Sequence, residues 1–246
     1  MFAEGKRRVL ERGEGPIQSH RTLREVIVRT IRDGIIQGAF RPGEHITEPD
    51  LAERFGISRT PIREAFRQLE TEGFLTTVPR KGTVVAPITV QDVRDFYEIK
   101  SLLEGYAARR ACERITPGEL GEMEDCNERL LEAHRENDLS QMLAFHNRFH
   151  EIFVRAAGNE RLSQMVDNLV MQGQRFRILL SLSDVMADLV DQHRAIVSAL
   201  AAHDPDRAET LVRENARHGE EVLIARLEAQ SGGASAPDTA SGTESP

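Results

Sequence analysis

Arg59, Arg63 and Arg67 stand four residues apart, and their type and spacing suggest chemistry more directly than any other residues of this chain. Four residues is just over one helical turn, so on a helix the three side chains form a single stripe. Ile62, Ala65, Phe66 and Leu69 form an apolar stripe beside it, so one face of that helix can dock while its neighbour presents guanidiniums. A planar guanidinium can donate two hydrogen bonds to O6 and N7 of guanine in the major groove, which distinguishes one base pair from another by about 1–3 kcal/mol. Thr60, near the start of the same helix, is placed for a phosphate or a base edge. A basic stripe on an isolated helix can equally be a solvated face, so its meaning depends on the elements that hold it.

Histidines form the second set. His146 and His150 stand at i and i+4, a spacing that lets two imidazoles reach one metal ion. His193 lies among Leu189, Val190, Ile196, Val197 and Leu200, the apolar face of its own helix, which points its ring into a bundle. On the last helix Ala208, Leu211, Asn215, His218, Val222 and Ala225 follow a three-four spacing that sets Asn215 and His218 on an inward stripe. Each is either a core group hydrogen-bonded to a neighbour or a ligand, and both readings stay open. Three imidazoles with an open position suit a divalent metal ion, zinc or another late transition ion, with water or a carboxylate completing its shell.

The elements that must position these groups are marked by caps and breakers. Leu23, Val26, Ile27, Ile31 and Ile35 predict a first helix over 22–37, stopped at Gly38. Thr47 with Asp50 opens a short second helix that ends at Gly56, and Ser58 caps a third that carries the arginines to Gly73. Residues 74–78 and 83–86, rich in β-branched side chains, flank a turn at Pro79–Gly82 and read as a hairpin, or wing, with Lys81 and Gly82 at its tip. There a glycine lets the backbone approach the minor groove and a lysine adds a phosphate contact. Beyond Pro87 only helical signals follow. They open at Thr89, Thr116, Asp138 and Asp204, with further stretches expected over 161–180, 184–202 and 205–229.

This order predicts a mostly α chain: a flexible arm over 1–20, a winged helix-turn-helix over 21–88, an all-helical bundle over 89–229 and a disordered tail over 230–246. Charge divides at the same place. Residues 1–88 carry 15 Lys and Arg against 12 Asp and Glu, whereas the remainder carries 17 against 28, so only the first part suits a polyanion. The apolar runs fall short of the roughly 20 residues that span a bilayer, and the first residues lack a secretory signal, so a cytoplasmic protein without a membrane partner is expected. Cys112 and Cys126 stand far from any CxxC pattern and read as reduced, structural thiols.

The segment GAFRPGEHITEPDLAERFGISRTPIREAFRQLETEGFLTTVPRKGTVV resembles the winged helix of GntR-type bacterial regulators. That resemblance implies operator DNA as a partner, Arg59 and Arg63 as base readers, Thr60 and Gly82 as further DNA contacts, and Arg67 as a phosphate contact. Glu48-Pro49-Asp50 stands where some relatives carry an arginine. The segments FYEIKSLLEGYAARRA, FHNRFHEIFVRAAGNERL and DQHRAIVSALAAHDPDRAETLVREN resemble the FCD effector domain of the FadR subfamily. In metal-carrying FCD domains the implied ligands fall here on His146, His150, His193 and Asn215, with His218 one turn from Asn215 as a substitute. Histidine at 146 and asparagine at 215 both depart from that pattern. Lys100, where relatives usually have arginine, and Arg175 and Arg177 are candidates to anchor an anionic effector, or are surface charges.

The reading that joins these parts is a homodimeric transcriptional regulator, repressor or activator, controlled by a small carboxylate effector. A metal-dependent hydrolase using His146, His150 and His193 is the enzyme alternative, but no general base accompanies them in a recognisable motif. A winged helix that docks protein is the other.

Overall fold

The computed structural model describes residues 22–179 and 186–232. The arm expected over 1–20 and nearly all of the tail lie outside these residues. The first unit holds α1 (Leu23–Ile36), α2 (Glu48–Phe55), α3 (Arg59–Thr71) and a hairpin of β1 (Leu75–Val78) and β2 (Gly82–Val85). Its core is one cluster in which α1 contributes Ile27, Ile31 and Ile35, α3 contributes Ile62, Phe66 and Leu69, and the hairpin contributes Leu75 and Val85. Burial of both apolar stripes fixes the roll of α3 about its axis, so its arginine stripe faces outward. The strands pair antiparallel, Leu75 opposite Val85 and Val78 opposite Gly82.

Local signals set most helix ends. Thr22, Thr89 and Thr116 each close a capping box with the acidic residue three positions on. Gly56 and Gly73 adopt positive φ where α2 and α3 stop. Ser58 departs from expectation: it occupies the N-cap of α3 but its side chain makes no capping bond. The first backbone N–H groups of α3 are therefore left for another acceptor.

The second unit is helical throughout the described residues: α4 (Val90–Ala111), α5 (Pro117–Arg135), α6 (Leu139–Ala156), α7 (Glu160–Gly173), a 3-10 segment (Gln174–Leu179), α8 (Met186–Ala201) and α9 (Pro205–Gly232). The helix expected over 161–180 is α-helical only to Gly173, where glycine leaves room for an aromatic ring. A Cβ at Gly173 would come within 2.5 Å of the Phe96 ring, and the chain tightens into the 3-10 turn there. The central cluster packs α4, α6, α8 and α9 around Phe149, Phe153, Ile196 and Leu200. A smaller cluster of Val93, Phe176 and Leu223 lies where the bundle meets the winged unit. No described helix is long and apolar enough to cross a membrane.

Candidate DNA interface and ligand site

On α3, Arg59, Thr60, Arg63 and Arg67 are all exposed while Ile62, Ala65, Phe66 and Leu69 are buried. Lys81 and Gly82 are exposed at the hairpin turn. Gly82 has φ +79°, and a Cβ there would lie 2.9 Å from His45 Nε2, so glycine serves both the backbone conformation and the close approach.

Arg63 is not idle on this face. Its Nε donates to Glu48 Oε1 at 3.1 Å and its Nη2 to Glu48 Oε2 at 3.0 Å, a fork-on-fork pair across α2 and α3. Glu48 sits in the first turn of α2, where the helix dipole favours a carboxylate. To read a base, Arg63 must exchange this partner, and the carboxylate repels phosphate while it remains. Glu48→Gln is therefore expected to tighten binding to random-sequence duplex by roughly threefold to tenfold at low salt and to steepen its salt dependence. Fluorescence anisotropy across a salt series measures both, and an unchanged affinity and slope would show that Glu48 has no such effect.

In the bundle, His146, His150 and His193 converge so that one ring nitrogen from each lies within 4.8 Å of the others. Ring centroids are 4.7 Å apart for His146 and His150 and 5.3 Å for His146 and His193. The partners of the opposite ring nitrogens assign the tautomers. Glu104 Oε2 stands 2.9 Å from His150 Nδ1, and Asn127 Oδ1 stands 2.8 Å from His193 Nδ1. Burial opposes the Glu104 carboxylate, but the Lys100 ammonium and His150 outweigh it and hold its pKa well below the ordinary range. A carboxylate can only accept, so His150 Nδ1 carries the proton and Nε2 keeps its lone pair; an amide oxygen imposes the same on His193.

Burial, reinforced by the positive charge of Lys100, pushes the pKa of His150 down, and burial does so more strongly for His146 and His193. All three rings are therefore neutral near pH 7. Among the described residues, His146 Nδ1, His150 Nε2 and His193 Nε2 are buried without a hydrogen-bond partner. Three unpartnered ring nitrogens in one place are unfavourable as a plain core and fit a metal ion. Phe149 stacks on His193 at 3.8 Å and 4°, which fixes the ring's orientation.

Asn215 is buried and its Nδ2 donates to Gln192 Oε1 at 2.8 Å; His218, one turn on, has a buried Nε2 with no partner among the described residues. Both line a cavity of about 130 Å³ together with His146, and His218 lies outside the three-histidine cluster. Lys100 also lines the cavity, but its ammonium is committed to Glu104 in a buried ion pair. Arg175 takes a different place from the one expected. Its Nη1 donates to the Gly73 carbonyl at 3.0 Å, its Nη2 pairs with Asp92 at 2.8 Å, and the guanidinium lies over the Phe176 ring. It ties the bundle to the end of α3 instead of facing the cavity. Arg177 follows on the same 3-10 segment, with its side chain outside the described residues.

Glu104, Asn127 and Glu48 were not anticipated as site residues. Lys100 and Glu104 form an i,i+4 charged pair on a helix face otherwise built from Ala107, Ala108 and Ala111, and such a pair on an inward face is a usable signal. Asn127 carries a weaker one, as the polar member of a stripe with Met123 and Leu130.

Residues 23–85 match the model of the bacterial regulatory proteins of the gntR family, and residues 95–218 match the FCD domain. The chain is 35% identical to the Nta operon transcriptional regulator of Aminobacter aminovorans over 188 residues, 75% of this chain and 87% of that protein. It is 28% identical to the transcriptional repressor RspR of Escherichia coli over 78% of this chain and 85% of that one. Among solved structures, the fold resembles McbR/YncC of Escherichia coli, with TM-score 0.69 and 21% identity over 84% of this chain and 99% of that one. It also resembles a GntR regulator from Rhodococcus sp. RHA1, with TM-score 0.66 and 21% identity over 82% and 97%.

Proposed function

The chain belongs to the GntR family of bacterial regulatory proteins and is a transcriptional regulator with an FCD domain; from that premise we propose that it acts in the cytoplasm as a homodimer whose hold on an operator is set by a small carboxylate effector bound beside a metal ion. The subfamily we assign is FadR. The enzyme alternative is set aside, because the relatives and fold neighbours are transcription regulators.

The observation that carries the reading is the outward arginine stripe of α3, held in place by a fully buried stripe on the same helix. In this reading Arg59 and Arg63 read bases, Thr60 and the uncapped start of α3 take a phosphate, Arg67 adds a second, and Lys81 and Gly82 touch the backbone at the wing. A dimer would place two such heads on a short pseudo-palindrome.

His146, His150 and His193 would hold the metal, zinc by its preference for three imidazoles and an open position, with Asn215 or His218 facing that opening from the cavity. A bound zinc ion would supply a positive Lewis-acid centre for an effector carboxylate. Glu104 and Asn127 orient two of the ligand rings by accepting from Nδ1. Control of DNA binding requires the effector to favour one arrangement of the heads over another, and Arg175 is the residue through which we route that preference.

Selecting bound sequences from a random duplex pool tests the reading. One enriched pseudo-palindrome is expected, with Arg63→Ala weakening it by about 1–3 kcal/mol and relaxing preference at one base pair of each half-site. Failure of the wild-type chain to enrich any sequence would overturn the proposal.

A further inference from the structure

The cavity beside the histidine cluster has two unlike ends. Lys100, His146, Asn215 and His218 line one part, whereas Phe96, Phe176, Val222 and Leu223 belong to an apolar remainder. We infer that the effector of this regulator is an acid with an apolar, ring-bearing body, and not a polyhydroxylated sugar acid. The inference rests on the proposed effector site and narrows what it takes.

Hydrogen-bonding capacity carries the argument. Several polar groups of the lining are engaged already: Lys100 with Glu104, the Asn215 amide N–H with Gln192, and Gln174 Nε2 with the Met171 sulfur at 3.3 Å; Tyr97 and Asn147 complete its polar side. Buried and without a partner at the cavity among the described residues are ring nitrogens of His146 and His218, with those of His150 and His193 in the adjoining histidine cluster. These suit one anionic head, directly or through a metal. A sugar acid adds a hydroxyl on each remaining carbon, and each hydroxyl buried without a partner lowers affinity about tenfold or more.

An aromatic or branched apolar body makes no such demand. Phe96 already meets Phe176 edge to face at 5.2 Å and Tyr97 at 5.1 Å, an arrangement that a further ring can join. Size agrees: about 130 Å³ is roughly ten times the space one ordered water needs, enough for a single ring and short for an extended chain. Glycine bounds the space at Gly173 and Gly219, where a Cβ would lie 2.5 Å from Phe96 and 2.8 Å from Tyr97.

Calorimetric titration of the zinc-loaded full chain with acetate, phenylacetate and gluconate tests this. Phenylacetate is expected to bind at least tenfold tighter than acetate, and gluconate no tighter than acetate. Val222→Asn is expected to weaken phenylacetate at least fivefold while leaving zinc content unchanged. Gluconate matching or exceeding phenylacetate, or phenylacetate gaining nothing over acetate, would overturn the inference. Zinc content and operator binding of the same preparation are measured separately, so failure of the wider reading is distinguishable from failure of this one.

Discussion

His193→Ala is expected to lower zinc affinity by at least about 100-fold, because it removes one of three converging imidazoles, and loss of an orienting partner alone costs about 10- to 100-fold. Asn127→Ala, which leaves all three imidazoles in place but removes the acceptor that sets the His193 tautomer, is expected to fall within that smaller range. The order of the two effects is the informative part, since a histidine that merely fills the core would leave zinc affinity unchanged in both. Competition against a chromogenic chelator gives the affinities, and elemental analysis gives the stoichiometry. His193 is fully buried, so its truncation also opens a cavity and leaves Asn127 Oδ1 unpaired. His193→Gln keeps most of the volume and separates the two causes, since it should retain the fold and still lose zinc. In the native chain, chelation should remove about 4 kcal/mol of stability if free zinc had stood a thousandfold above its dissociation constant. A native chain that takes up no zinc at micromolar concentration would end the metal reading.

Arg175→Met is expected to loosen the winged unit from the bundle. One guanidinium serves two acceptors, the Gly73 carbonyl just past α3 and the Asp92 carboxylate in the first turn of α4. Burial works against the Asp92 charge, but Thr89 and Arg175 together hold its pKa below the ordinary range. Methionine keeps the stem's apolar packing on Phe176 and removes every donor, at a cost of about 1–3 kcal/mol for the acceptors left behind. For a unit the size of the winged head, each kcal/mol lowers the melting temperature by roughly 4–8 °C. A separate, earlier transition of the head is therefore expected in scanning calorimetry. Arg175→Lys should recover only part of the loss, because an ammonium lacks the planar fork that reaches both acceptors.

Function is expected to change through the same contact. Phe176 lines the cavity and Arg175 is its neighbour, so a ligand seated against Phe176 acts one residue from the clasp on α3. Couplings between sites in regulators typically change affinity by about 5- to 150-fold, and in Arg175→Met that factor should fall toward one. An unchanged ratio of operator affinities with and without phenylacetate, in a variant that still folds and binds both, would remove Arg175 from the route.

Much of this molecule is written in local sequence. Thr22, Thr89 and Thr116 announce helix starts because a capping box closes within four residues, and Gly56 and Gly73 announce helix ends because a left-handed backbone favours glycine. The arginine stripe of α3 and the i,i+4 pair of His146 and His150 follow from the helical repeat alone. These signals act over one or two turns, and the chain's own geometry enforces them.

Contacts made across the chain were decided by the tertiary structure. Arg175 and Gly73 are 102 residues apart, His193 and Asn127 are 66, and His150 and Glu104 are 46. Which cation clasps α3, which oxygens set the imidazole tautomers, and that Glu48 holds Arg63 all depend on how finished helices pack against one another. A charged or polar side chain carries no local mark of the partner it will meet, since that partner is chosen by the shape and burial of the whole core.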